Sequence, residues 1–215
     1  MNNKYYILIK ITHEQIENTN ELVNYSINHH PIQDIYKNDP GGKENQRVFR
    51  FVGTIGEITF ADFYYLPRPQ KSYGAIDGQD FGQDFNLIID NRNCCIDVKT
   101  MRRNNGILRK NYVVNIPSYQ LYRETSLTDC YFAISIHKNR NNELYASLLG
   151  YTPKEDILSN KVGILYKAGT TRVKDNGSTF IFARDTYEVE LQDFYSPPIP
   201  DQKIDKNILK IKYLL

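Results

Sequence analysis

Two aspartates and a lysine are the residues of this sequence best suited to chemistry: Asp84, and Asp97 followed two positions later by Lys99. The segment Asp84-Phe85-Asn86-Leu87-Ile88-Ile89 reads as one strand of a hairpin, Asp90 to Asn93 as its turn, and Cys94 to Thr100 as the returning strand. With a four-residue turn Ile89 faces Cys94, Asn86 faces Asp97 and Asp84 faces Lys99. Side chains alternate across a strand, so Asp84, Asn86, Asp97 and Lys99 share one face. Phe85, Leu87, Ile89, Cys94, Ile96 and Val98 share the other, which is wholly apolar. A slip of one residue destroys this sorting.

Two carboxylates held close together repel unless a cation offsets their charge. A hard divalent ion with oxygen ligands, Mg²⁺ above all, suits such a pair, and Mn²⁺ can substitute. An ion bound there can polarise a phosphoryl oxygen and lower the pKa of its water. Lys99 is placed to orient or deprotonate that water and to stabilise charge developing on a phosphate. Glu57, on a preceding helix, can add a carboxylate from the side. The competing reading of Asp97 and Lys99 is a solvated strand face with an ion pair, which contributes little. Glu57 can equally be a plain helix-surface glutamate. Asp77 and Asp80, in a glycine-punctuated stretch from Gly74 to Gly82, can replace Asp84 as ligand or cap turns.

The elements that must position these groups follow from periodicity. Residues 5–11 read as a strand and 13–28 as a helix. A second helix spans Glu44 to Tyr65 and is stopped by Leu66-Pro67-Arg68-Pro69. After the hairpin comes a basic loop with Arg102, Arg103, Arg109 and Lys110, placed either to contact phosphates or simply to keep a loop soluble. Pro117 to Arg123 reads as a short helix, and Tyr131 to Ile136 as a strand buried on both faces. A strand over 143–151, a short helix from Pro153 to Leu158 and further strands to about 191 complete the series, and the tail after Ser196 reads as irregular. The expected fold is α/β, a central mixed sheet flanked by helices. One domain covers 1–215, with a core at about 44–150, an N-terminal strand and helix at 1–40, a β extension at 160–195 that continues the sheet, and an irregular tail at 196–215.

Asp84, then Ile96-Asp97-Val98-Lys99-Thr100, resembles the PD-(D/E)xK nuclease superfamily, the restriction-endonuclease-like fold of many type II restriction enzymes. In that family an acidic residue opens one strand, and (D/E)xK sits on the next. Glu57 matches the glutamate of the family's preceding helix, and Gln120 loosely matches the glutamine of a following one. The resemblance covers roughly residues 53–137 by order of elements. Phe-Gly-Gln precedes Asp84, so the family's proline is missing. The resemblance implies that Asp84 and Asp97, with Glu57, hold Mg²⁺ and that Lys99 is the catalytic lysine. It further implies a double-stranded DNA substrate and a homodimer cutting both strands, and on that reading Gln120 and the basic loop residues Arg102, Arg103, Arg109 and Lys110 are the expected DNA contacts.

Composition sets the frame. The chain has 215 residues, enough to bury a core without disulfides or a metal. A net charge of +2 is not the basic excess of a protein that coats nucleic acid, so charge neither supports nor excludes DNA. Cys94, Cys95 and Cys130 are odd in number and lack CxxC spacing, which points to buried thiols in a reducing cytoplasm rather than to disulfides or zinc. The four histidines show no ligand spacing. No apolar run is long enough for a membrane span, so the expectation is a cytoplasmic protein with no membrane partner.

Overall fold

The structure is a computed structural model, and it describes residues 4–29, 42–71, 84–173, 177–200 and 210–215. Strand β1 is Tyr5–Lys10, helix α1 His13–His29 and helix α2 Gly42–Phe63. The hairpin is β2, Phe85–Ile89, and β3, Arg92–Arg102. Then follow β4 (Val113–Pro117), α3 (Ser118–Tyr122), β5 (Cys130–Lys138), β6 (Leu144–Pro153) and α4 (Lys154–Leu158). Five short strands complete the chain: β7 (Ile164–Tyr166), β8 (Thr171–Val173), β9 (Thr179–Ile181), β10 (Thr186–Glu190) and β11 (Lys210–Tyr213).

The fold is mixed α/β around a six-stranded sheet in the order β11-β1-β6-β5-β3-β2. The β3–β5 pair is parallel and the other neighbours are antiparallel. One face carries α1 and α2. Ile55, Phe60 and Ala61 of α2 lie in one core with Ile96, Val98, Phe132, Ile134 and Leu148 of the sheet. Phe60 stands with its ring centroid 4.8 Å from Phe132 and 5.0 Å from Phe85, so the helix holds the hairpin through aromatic contacts. The other face meets a second, three-stranded sheet, β4-β10-β7. There Tyr131, Ala133 and Leu149 are buried with Val114, Ile116, Tyr187 and Val189.

Helix α1 begins with a reciprocal cap. The Gln15 N–H donates to Thr12 Oγ1 at 3.2 Å, and the Thr12 N–H donates to Gln15 Oε1 at 2.9 Å. Arg68, between Pro67 and Pro69 just after α2, bonds Asp62 through two nitrogens and Glu14 through a third, fastening the two helices together. Among the described residues no helix is long and apolar enough to cross a membrane.

Three expectations need correction. First, the hairpin turn has two residues, not four. Asp90 and Asn91 both have positive φ (49° and 62°), the signature of a tight turn that matches strand twist, and Asx side chains tolerate it. Ile89 therefore pairs with Arg92 and Phe85 with Ile96. The shift is of two residues, so every side chain keeps its predicted face, but Asp84 no longer stands across from Lys99. Second, the late strands do not continue the central sheet. β7 and β10 join β4 in the second sheet, and β8 and β9 form a separate pair. Third, the tail is not wholly irregular, because β11 adds to the sheet edge beside β1, with Tyr5 opposite Tyr213. The Gly74–Gly82 stretch, with Asp77 and Asp80, lies outside the described residues.

Candidate active site

Strand β3 presents two chemically different faces. Ile96 and Val98 point into the core under α2. Asp97 and Lys99 point the other way. The parallel register sets them beside Tyr131 and Ala133, which belong to the core against the second sheet.

Asp97 is only 5% exposed. Its carboxylate meets the Lys99 ammonium through both oxygens, at 2.6 Å and 2.8 Å. This is not the solvated strand face of the competing reading: a pair this far out of water needs good geometry to offset desolvation, and the bidentate contact supplies it. Lys99 Nζ also lies 5.6 Å from the centre of the Tyr131 ring, within cation–π range.

Asp84 sits where β2 leaves β3. Its N–H donates to the Ile96 carbonyl at 3.0 Å, and its Oδ2 accepts the Val98 N–H at 2.6 Å. The carboxylate thus stands in for the next rung of the ladder and is anchored at the residue between Asp97 and Lys99. Phe85, buried against Phe60, fixes the backbone from which Asp84 projects.

Tyr131 is the residue that sequence reasoning passed over. It is fully buried, yet its hydroxyl has no hydrogen-bond partner among the described residues. Burial pushes its phenol pKa well up, and the Asp97 carboxylate and the Tyr119 phenol add to the rise. The hydroxyl is therefore a neutral donor at any ordinary pH, beside a buried ion pair. An unpartnered buried hydroxyl is costly, so such a group marks a place for a ligand or water. The signal available in the sequence was weak: Tyr131 opens an otherwise apolar run, and only the β3–β5 register brings it to Asp97.

The other candidates fall differently. Glu57 is half-buried on α2, whose neighbouring Gly56 abuts Thr100, so the helix covers the face of β3 opposite to Asp97. Gln120 on α3 donates to Tyr119 Oη at 3.4 Å, and its Oε1 is buried without a partner. Arg103 is tied into the structure: it donates to the Val113 carbonyl at 3.0 Å and stacks 4.6 Å from the Tyr112 ring centre, and burial pulls its pKa down. Arg102, Arg109 and Lys110 are exposed. Arg102 lies five residues beyond Asp97, about 17 Å along the strand. The Lys110 N–H bonds the Leu215 carbonyl, which holds that loop against the C-terminal segment. The structure thus places Asp84, Asp97, Lys99 and Tyr131 where β2, β3 and β5 adjoin, and engages Arg103 with Val113 and Tyr112.

Among the described residues no three His, Cys, Asp or Glu side chains form a metal-holding group. The three cysteines are free, and burial, with Cys94 alongside, pushes the Cys130 thiol up to about 12. The candidate donors are the hard carboxylates of Asp84, whose Oδ2 accepts the Val98 N–H, and of Asp97, whose oxygens hold Lys99, with Tyr131 opposite Asp97 on β5. Mg²⁺ is commonly held by one or two carboxylates, with waters and substrate phosphate completing its shell, so this donor set fits it. No protein family matches the chain, and no curated protein and no solved structure shows significant similarity to it.

Proposed function

We propose that the protein is a Mg²⁺-dependent endodeoxyribonuclease built on a restriction-endonuclease-like core, hydrolysing phosphodiester bonds of double-stranded DNA as a homodimer. The observation that supports this reading most is the juxtaposition at the β2–β3 fork. Asp84 is bonded to the backbone between Asp97 and Lys99, and Asp97 is buried and doubly paired with that lysine. The order of the residues along the hairpin is that of the PD-(D/E)xK pattern.

In this scheme Asp84 and Asp97 would hold the ion, which would supply Lewis-acid polarisation and an acidified water. Lys99 is held by Asp97 until a phosphate arrives. It then turns its ammonium to the scissile group, where it orients the attacking water and offsets charge building on the phosphate. Tyr131 Oη donates its otherwise unused proton into the same space, and its raised pKa keeps it protonated. The surrounding apolar core limits bulk water and strengthens each of these interactions.

A second reading, a structure-selective nuclease of the same fold, is favoured by exposed tyrosines near the site, treated below. Incubation with plasmid and phage DNA in Mg²⁺, with Asp97→Ala in parallel, tests the activity. Discrete fragments from intact duplex support a restriction-type enzyme, and cleavage confined to branched or single-stranded junctions supports the second reading.

A further inference from the structure

Helix α3 displays two tyrosines three positions apart, which places them side by side on one helix face. Tyr119 is 50% exposed and Tyr122 61%. Both are large rings in a place where folding alone gains little from them. Neither is loosely held. The Tyr122 hydroxyl meets the hydroxyl of Tyr187, a buried residue of β10, at 3.2 Å. The Arg184 guanidinium carbon stands 5.3 Å from the centre of the Tyr119 ring, and Arg184 makes no ion pair among the described residues. The Ser118 N–H donates to the Asp185 carbonyl at 2.8 Å, so the start of α3 and the loop carrying Arg184 are joined backbone to backbone. The surface is thus a fixed pair of aromatic faces with a guanidinium stacked on one of them.

The same helix shares a core with a residue of the candidate site. Leu121, between the two tyrosines, is buried in one core with Tyr131, and the Tyr119 phenol lies close enough to Tyr131 to help raise its pKa. Lys99 thus lies over the Tyr131 ring, and Arg184 over the ring of Tyr119 on the helix that shares this core.

We propose that Tyr119, Tyr122 and Arg184 form a platform for unpaired nucleotides, two bases stacking on the tyrosines and the guanidinium meeting a phosphate. Fixed aromatic faces beside a guanidinium suit single-stranded DNA, whose bases expose their flat surfaces, and not duplex, whose bases are already stacked. The inference rests on the reading of the chain as a DNA nuclease and narrows its substrate to duplex with an unpaired strand beside the cut.

Fluorescence anisotropy of the full chain in EDTA, with labelled dT20 and a 20-base-pair duplex as probes, tests it apart from cleavage. The wild type is expected to bind dT20 more tightly than the duplex. Tyr119→Ala and Tyr122→Ala should each weaken dT20 binding about 5- to 100-fold. Tyr119→Phe and Tyr122→Phe, which keep the rings, should stay within about threefold of wild type, and Arg184→Ala should weaken binding and flatten its salt dependence. Unchanged dT20 binding in both alanine variants, or equal losses for duplex and single strand, would overturn the platform. If the wild type cuts DNA and Asp97→Ala does not, that result leaves the nuclease reading standing while the platform falls. If no DNA is cut but the tyrosine variants lose dT20 binding, the platform stands and the nuclease reading falls.

Discussion

The carboxylate of Asp97 holds the ammonium of Lys99 through both oxygens, at 2.6 Å and 2.8 Å, with only 8% of the aspartate side chain and 19% of the lysine side chain exposed. Removing either partner strands a charge away from water. Asp97→Asn or Lys99→Met is expected to cost about 3 kcal/mol, the low end for a buried pair because the lysine reaches some solvent. The double variant should lose clearly less than the sum, since the two neutral side chains leave no charge unpaired. Denaturant titration of the four proteins measures this, and strict additivity would mean the pair does not interact in solution.

Tyr131 separates stability from function. Its hydroxyl is buried and unpartnered, so Tyr131→Phe removes a cost rather than a bond. The variant is expected to be more stable by about 1 kcal/mol, a rise of roughly 2–4 °C in Tm for a chain of this size. Cleavage should fall at least tenfold, because the proton donor beside Asp97 is gone. A Tyr131→Phe protein that melts lower than wild type would show that the hydroxyl has a structural partner.

Gly56 sets how closely α2 approaches β3. A Cβ there would stand 1.9 Å from Thr100 Oγ1 and 2.8 Å from Thr100 Cβ, next to Lys99 in sequence. Alanine gains about 1 kcal/mol in helix propensity, but the clash costs about 1–3 kcal/mol and forces strand or helix to shift. Gly56→Ala should therefore be destabilised and slowed in cleavage. Gly56→Ala with Thr100→Ala should recover part of both, because the nearest clashing atom is removed. Thermal melts and initial rates on one DNA substrate report the two effects.

His137 predicts a pH dependence. It is buried, stacked 5.8 Å from Tyr145, and its pKa is lowered by burial and by the charge of Lys212. The unfolded chain takes up this proton near pH ~6.5, whereas the folded chain stays neutral to lower pH. Protons bound by the unfolded state alone disfavour folding, so stability should fall as pH drops from about 6.5 toward the folded pKa and level off below it. His137→Gln should flatten that part of the curve in urea midpoints measured from pH 5 to 8. An unchanged slope would assign the dependence to other groups.

The faces of the hairpin were legible in the sequence, and its register was not. Alternation of apolar residues at Phe85, Leu87, Ile96 and Val98 fixes parity, and a shift of two preserves parity. The register depends on whether Asp90 and Asn91 accept positive φ, a local choice that periodicity does not encode. The amphipathic pattern of α2 was visible, but not which side of the sheet it covers. Tyr131 looked like core because a strand buried on both faces conceals which residues meet a polar neighbour. Arg103 looked like a free surface cation, since nothing local in the sequence indicates its bond to the Val113 carbonyl. The pairing of β11 with β1 joins residues about two hundred positions apart through a four-residue strand, too short to carry a pattern of its own.

The central claim is that Asp97 and Lys99 form the catalytic centre of a metal-dependent DNA nuclease. The most direct test is incubation of the purified protein with supercoiled plasmid in Mg²⁺, in EDTA, and in Mg²⁺ with Asp97→Ala, all proteins first shown to be folded by circular dichroism. The account predicts nicked or linear DNA only in the first reaction. Equal cleavage by Asp97→Ala, or no cleavage of duplex, branched or single-stranded DNA by the folded wild type in Mg²⁺ or Mn²⁺, would contradict it.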